Sequence, residues 1–213
     1  MPRLGALDAA SRFRDQYEMR PATRADEELV LELITARLKE LDLRGHELAL
    51  DRASVVDNVG TSEEARDRPV VWLLLNGLDL VGCMALRTST PDWGWSLRER
   101  QDKALTISGL FTHPAYRWER LSRYMVWWAV DHAWHRDDTD GPLWWVRGST
   151  PSARVAEYAR EHMGVTVMNA ARDAPHAFLM QRRPQALPGL ARWFAPAERP
   201  GLPARPRKGW DLT

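Results

Sequence analysis

Residues 70–87 read VVWLLLNGLDLVGCMALR, two long apolar runs joined at Asn76-Gly77, and no other stretch constrains the fold as much. Asn-Gly supplies the two positive-φ residues of a type I′ turn, so the runs are expected to pair as an antiparallel hairpin. Neither run alternates polar with apolar residues. Strands of this kind need cover on both faces, so the rest of the chain must supply helices for two sides of a sheet.

It does. Residues 17–21 read as a short strand that Pro21 confines to an edge or a strand end. Thr23 and Asp26 have capping-box spacing, and Leu29, Val30, Leu33, Ile34, Leu38 and Leu41 then recur at helical spacing up to a stop at Arg44-Gly45. A second helix is expected over 47–58, and a charged loop over 63–68. After the hairpin comes a loop, 88–103, carrying Trp93 and Trp95, then a strand, ALTISGLFTH, ending at His113-Pro114. Residues 116–135 form a long helix in this reading, with Leu121, Tyr124, Met125, Trp128 and His132 as its apolar stripe. A strand over 143–150, a helix over 151–163 stopped by Gly164, and strands over 165–168 and 176–183 complete the order. The expected architecture is α/β (α+β): a mixed, mostly antiparallel central sheet of about seven strands flanked by helices.

Length allows one such domain with appendages: 213 residues, divided into a flexible arm over 1–16, a domain over 17–183 and a Pro/Arg-rich tail over 184–213. The net charge of +1 gives no field to hold nucleic acid or an anionic membrane surface. No apolar run approaches a membrane span, and the first residues have no signal-peptide core. The single cysteine, Cys83, excludes an intramolecular disulfide and a Cys-rich zinc site, so a cytoplasmic location is expected. His132 and His135 near Asp131, Asp137 and Asp138 read as a solvated helix end, and no metal site is expected. Eleven tryptophans exceed Tyr and Phe together, and most are expected in packing between helix and sheet.

The junction LFTHPAYRWERLSRYM carries the chemistry. A strand running into a helix leaves backbone N–H groups of the first helical turn unpaired, and the helix dipole adds positive potential, so a pyrophosphate fits there. Together with the element order, the segment MRPATRAD before the first helix and the hairpin ending Leu80-Val81-Gly82, this junction resembles the GNAT acyl-CoA-dependent N-acetyltransferases over residues 17–183. The family signature Gln/Arg-x-x-Gly-x-Gly/Ala falls on Arg117, Trp118, Glu119, Arg120, Leu121 and Ser122. Arg120 replaces the usual glycine, and within a helical first turn an arginine suffers no conformational penalty.

The resemblance implies acetyl-CoA as cofactor. Leu110, Phe111 and Thr112 would hold the pantetheine arm, and the stretch from Arg117 through Trp118, Glu119, Arg120, Leu121 and Ser122 to Arg123 would hold the pyrophosphate. It implies Tyr158 as the acid for the leaving thiolate, although the family register falls on Arg160, about 200° around a regular helix, so a local helix irregularity is needed to bring Tyr158 into place. Asp92, Trp93 and Trp95 would line the acceptor site for a small-molecule amine. The base stays open among Glu99, Asp102, His113 and a water chain. Two further readings compete: a GNAT-fold binding or regulatory module that has lost transfer, and a partner-binding tail built on Arg199, Arg205, Arg207 and Lys208. A homodimer is one arrangement left open.

Overall fold

The computed structural model describes residues 17–43, 52–63, 68–136, 141–169 and 177–194, without the side chains of Leu43, Arg117 and Asn169. The expected arm, the start of the second helix, Asp137, Asp138 and the tail arginines lie outside these residues. Seven strands form one sheet in the order β1-β2-β3-β4-β5-β7-β6. They are β1 (Tyr17–Pro21), β2 (Val70–Asn76), β3 (Asp79–Arg87), β4 (Ala104–Thr112), β5 (Trp145–Thr150), β6 (Thr166–Asn169) and β7 (Phe178–Arg182). Among the seven strands of the described residues only β4 and β5 pair in parallel, so the sheet is mixed and mostly antiparallel, as expected.

The hairpin forms, but its turn lies one residue later than Asn-Gly suggests. Asn76 pairs with Asp79, so Gly77 and Leu78 are the loop, and Gly77 alone has positive φ, +61°. Gly at the first loop position is the pattern of a type II′ turn. Pro21 sits at the end of edge strand β1, where its missing N–H costs no central ladder bond.

Helices cover both faces. On one, Val30, Leu33 and Ile34 of α1 (Glu27–Leu43) and Val55 of the short α2 (Ala53–Val56) pack with Val71, Leu73, Cys83, Ala85 and Phe111. Leu29 of the expected stripe is instead exposed. The 3₁₀ turn before α1 is tied by Asp26, whose Oδ2 accepts from Thr23 N and Oγ1 at 2.7 and 2.8 Å. Arg20 donates to both oxygens of the same carboxylate at 2.7 and 2.8 Å, holding it well below the ordinary aspartate range.

On the other face, Leu121, Met125, Ala129 and Val130 of α4 (Leu121–His135) meet Val81, Met84, Leu86, Leu105 and Val146. The single helix expected over 116–135 is in fact two pieces. A 3₁₀ stretch, Pro114–Glu119, precedes α4, and Arg120 between them is left-handed, φ +56° and ψ +36°. A fifth helix, α5 (Ala153–Met163), is capped by Ser152 and stopped at Gly164, φ +67°. His132 packs between Trp72 and Trp128, stacking on the latter at 4.6 Å.

The start of the expected tail is part of the packed body. After β7 the chain crosses α4 as a strap. Leu187 N donates to Asp131 Oδ1 at 2.6 Å. Leu190 and Phe194 join the α4-side core, Trp193 lies 5.3 Å from the Tyr124 ring, and Tyr17 N donates to Trp193 O at 2.7 Å. A bridge between Tyr17 and Phe194 ends the strap on β1.

Candidate active site

The sheet opens at its one parallel junction. β4 and β5 pair from Ala104 against Trp145 to Ile107 against Gly148, and there the register ends. On the other side of β4, Ala85 faces Gly109 while Leu86 faces Ile107, so Ser108 is an extra residue in β4. A bulge bends its strand. β4 runs on to Thr112 along β3, and β5 runs on to Thr150 along β7. The facing edges of residues 108–112 and 149–150 therefore have no strand between them, and alternate N–H and C=O groups point into a wedge. Leu110 and Thr112 are half-buried there, whereas the Phe111 side chain belongs to the α1-side core, which leaves its backbone for a ligand.

The strand that forms one wall of the wedge leads directly to the start of α4. His113 shapes the turn: its N–H donates to Val81 O at 2.8 Å, and its Nδ1 accepts from Ala115 N at 3.3 Å, which settles it as a capping residue. The expectation of a conformationally neutral Arg120 is overturned. Arg120 stands before α4 in the left-handed region, which costs a residue with a Cβ about 1–2 kcal/mol and a glycine almost nothing. Its side chain gives α4 no cap. Arg123 uses its N–H on Arg120 O at 3.0 Å, and its guanidinium lies 4.7 Å over the Trp127 ring. The cradle thus narrows to the N–H groups of the helix start at Leu121 and Ser122.

The Glu119 carboxylate is engaged by a distant residue and caps nothing at this start. The Tyr17 hydroxyl donates to Glu119 Oε2. Burial, followed by the Glu119 carboxylate, pushes the Tyr17 phenol above the ordinary tyrosine range, so it keeps its proton for that bond. Trp118 is 80% exposed on the same turn.

Asp92, Trp93 and Trp95 do not form a common acceptor wall. Their loop joins β3 to β4 at the closed, paired end of the wedge. Trp95 is 2% exposed and packs against Arg147, whose guanidinium carbon is 4.5 Å from its ring centroid. Trp95 is therefore a packing anchor, Trp93 is 46% exposed, and Asp92 is fully exposed, 3.8 Å from Arg100. The loop contains a helix that the sequence reading left out, α3 (Leu97–Gln101), opened by Ser96 with Glu99 bonding back to Ser96 N at 2.8 Å.

Arg147 is the residue that sequence reasoning missed. It is 1% exposed on β5, one residue from the wedge apex. Its Nη1 donates to Thr90 Oγ1 at 2.7 Å and to Glu99 O. Its Nη2 pairs with Asp102 at 2.8 Å, and its Nε reaches Gln181 Oε1 at 3.4 Å. Of the expected bases, Glu99 and Asp102 are thus both engaged in structure. Beside Arg147, Thr106 Oγ1 is buried and has no hydrogen-bond partner. An arginine in an otherwise apolar strand, LWWVRGST, was the signal available.

Tyr158 is not moved into register. α5 is continuous from Ala153 to Met163, so no irregularity rotates it. Its ring packs edge-on against His162 at 4.7 Å, and His162 lines an open groove of about 460 Å³ together with the strap residues Leu187, Leu190 and Trp193. Among the described residues no group of His, Cys, Asp and Glu is arranged to hold a metal, and no helix is long and apolar enough to cross a membrane.

Comparison with solved structures places this architecture. The structure of AAC(6')-Ib in complex with paromomycin and acetyl-CoA superposes with a TM-score of 0.57 at 16% identity, over 79% of this chain and 94% of that one. A ribosomal-protein-S5-alanine acetyltransferase from Vibrio fischeri gives 0.54 at 9% identity over 80% and 94%. The aminoglycoside N(6')-acetyltransferase from Legionella pneumophila gives 0.53 at 14% identity over 81% and 95%. No family model and no curated protein matches the sequence. The chain has the GNAT acetyltransferase fold.

Proposed function

We propose that this chain is an N-acetyltransferase that binds acetyl-CoA and transfers its acetyl group to the amine of a small molecule. The observation that carries the reading is the coincidence, on one strand, of a backbone-lined wedge at Ser108–Thr112 and a helix start without a side-chain cap at its end. The wedge fits an extended amide-bearing arm such as pantetheine, and the α4 start fits a pyrophosphate. Trp118 offers an exposed indole face to the purine. Acceptors of the two aminoglycoside-modifying neighbours are small molecules, which favours that acceptor class here.

In the transfer, the amine nitrogen attacks the thioester carbonyl, the carbon–sulfur bond breaks, and CoA leaves as the thiolate. Strand N–H groups at the bulge polarise the carbonyl oxygen. In this reading the amine proton and the proton for the thiolate pass through water, which is supported by the engagement of Glu99 and Asp102 in the β3–β4 loop and of His113 in the turn before α4.

Millimolar acetyl-CoA is expected to raise the melting temperature by mass action, and no shift with acetyl-CoA or CoA overturns the cofactor assignment. With binding established, CoA-thiol release is measured across a panel of amines that includes aminoglycosides. The absence of acid or base side chains on β4, Ala104–Thr112, favours a second reading, a module that binds acyl-CoA without transferring, and cofactor binding with no acceptor-dependent release decides for it. In an active enzyme, Tyr158→Phe should leave kcat within about threefold. A loss of 10²-fold or more, the range expected of a general acid, would restore Tyr158 to the chemistry.

A further inference from the structure

We infer that Tyr17 is a positioning residue that keeps the anion cradle open by holding Glu119 away from the start of α4. The inference rests on the cofactor reading above. Three observations converge on it. The first turn of α4 receives no cap from the side chain of its N-cap residue, Arg120, although its N–H groups attract a carboxylate as readily as a phosphate. Glu119 is the residue immediately before that N-cap, which makes its carboxylate the nearest acid in sequence to those N–H groups. Its carboxylate is bound instead by the Tyr17 hydroxyl, 102 residues away in sequence.

Tyr17 is itself fixed. Its ring packs with Tyr124 and Phe194 at 6.3 and 6.4 Å, its N–H is bound by Trp193 O, and its backbone is bridged to Phe194. The strap thus anchors β1 at Tyr17, and Tyr17 anchors the acid. Released, Glu119 becomes an internal competitor for the phosphate groups. A carboxylate at a helix start contributes about as much as a cap, so competition should weaken binding by about 3- to 10-fold.

The test compares the wild-type chain, Tyr17→Phe, Glu119→Gln and the double variant for affinity toward acetyl-CoA and toward acetyl-pantetheine, which lacks the phosphates. Tyr17→Phe keeps the ring and its packing, and circular dichroism and melting temperature check each variant. Expected are a 3- to 10-fold loss for acetyl-CoA in Tyr17→Phe, no loss beyond twofold for acetyl-pantetheine, and restoration of acetyl-CoA affinity when Glu119→Gln is added. An unchanged affinity in Tyr17→Phe overturns the inference. So does a loss that Glu119→Gln fails to restore, or an equal loss for acetyl-pantetheine. No acetyl-CoA binding by the folded wild-type chain overturns the cofactor reading and this inference with it, whereas binding with no effect of Tyr17→Phe removes the inference alone.

Discussion

Two arginines carry unusual loads in this fold: Arg120 is held in the left-handed region and Arg147 is buried in the sheet. Arg120 stands where the family signature has glycine, and a helical assignment makes that harmless. The sequence lacks the information that the α-helix starts only at Leu121 and that position 120 is left-handed. Replacing Arg120 with Gly should raise stability by about 0.5–1 kcal/mol, because the relief of left-handed strain exceeds the added freedom of the unfolded chain. Thermal unfolding reads this as a gain of a few degrees, and a lower melting temperature would show that the strain argument is wrong. Arg147 was invisible because burial of a charge depends on partners brought from Thr90, Glu99, Asp102 and Gln181. Arg147→Met leaves Asp102 without its cation and is expected to cost about 2–4 kcal/mol in urea unfolding, below the usual upper range because Asp102 keeps some water. Arg147→Lys should recover less than half, since an ammonium cannot reproduce the planar fork. A cost below 1 kcal/mol for Arg147→Met would remove its role as the hub of the β3–β4 loop.

At the level of elements, what periodicity dictates was legible. Both hairpin strands and β4 stand where continuous apolar runs put them, and α5 and the body of α4 where the 3.6-residue repeat does, because these signals are local. What depends on tertiary contact was not. The wedge arises from the Ser108 bulge and from the end of the β4–β5 register, neither of which leaves a mark in composition. α3 did leave one, in the capping-box spacing of Ser96 and Glu99, but the special residues Pro91 and Gly94 nearby outweighed it. The strap reads as a tail because Pro and Arg suggest irregular chain, and irregular it is; it is nonetheless packed. Leu190→Ala should therefore destabilise by about 2–3 kcal/mol, the range for a buried leucine, with an unchanged urea m-value. A change within 0.5 kcal/mol would mean that the strap is not held to α4 in solution.

For the molecule as a whole, a two-sided sheet was legible in the apolar hairpin, whereas the placing of the tryptophans was not. Of the ten described, Trp72 and Trp95 are buried, Trp127, Trp128 and Trp145 are half-buried, and Trp93, Trp118, Trp134, Trp144 and Trp193 are exposed, so the expected packing role holds for about half. Cys83 offers a test of the assembled core. It is 0% exposed in the centre of β3, and burial pushes its thiol up to about 12. Thiol reagents should label it only at the rate of global unfolding. The unfolded chain loses this proton above about pH 8.5 while the folded one retains it, so stability falls as pH rises from there toward 12, by up to about 1.4 kcal/mol per pH unit. Cys83→Ala should flatten that part of the alkaline profile. Labelling much faster than unfolding would show that the sheet opens locally.

The pairing of Tyr17 with Phe194 also bears on connectivity. The two lie side by side, so the backbone from Tyr17 to Phe194 traces a nearly closed ring. In a chain restricted to residues 17–194, a linker from Phe194 to Tyr17 long enough to reverse direction, because the two run parallel, would close that ring, and the fully exposed turn at Leu78 is a natural place for a new cut. Chain order would then change while every contact of sheet, strap and wedge is kept, and the architecture would belong to the ring rather than to where its ends fall.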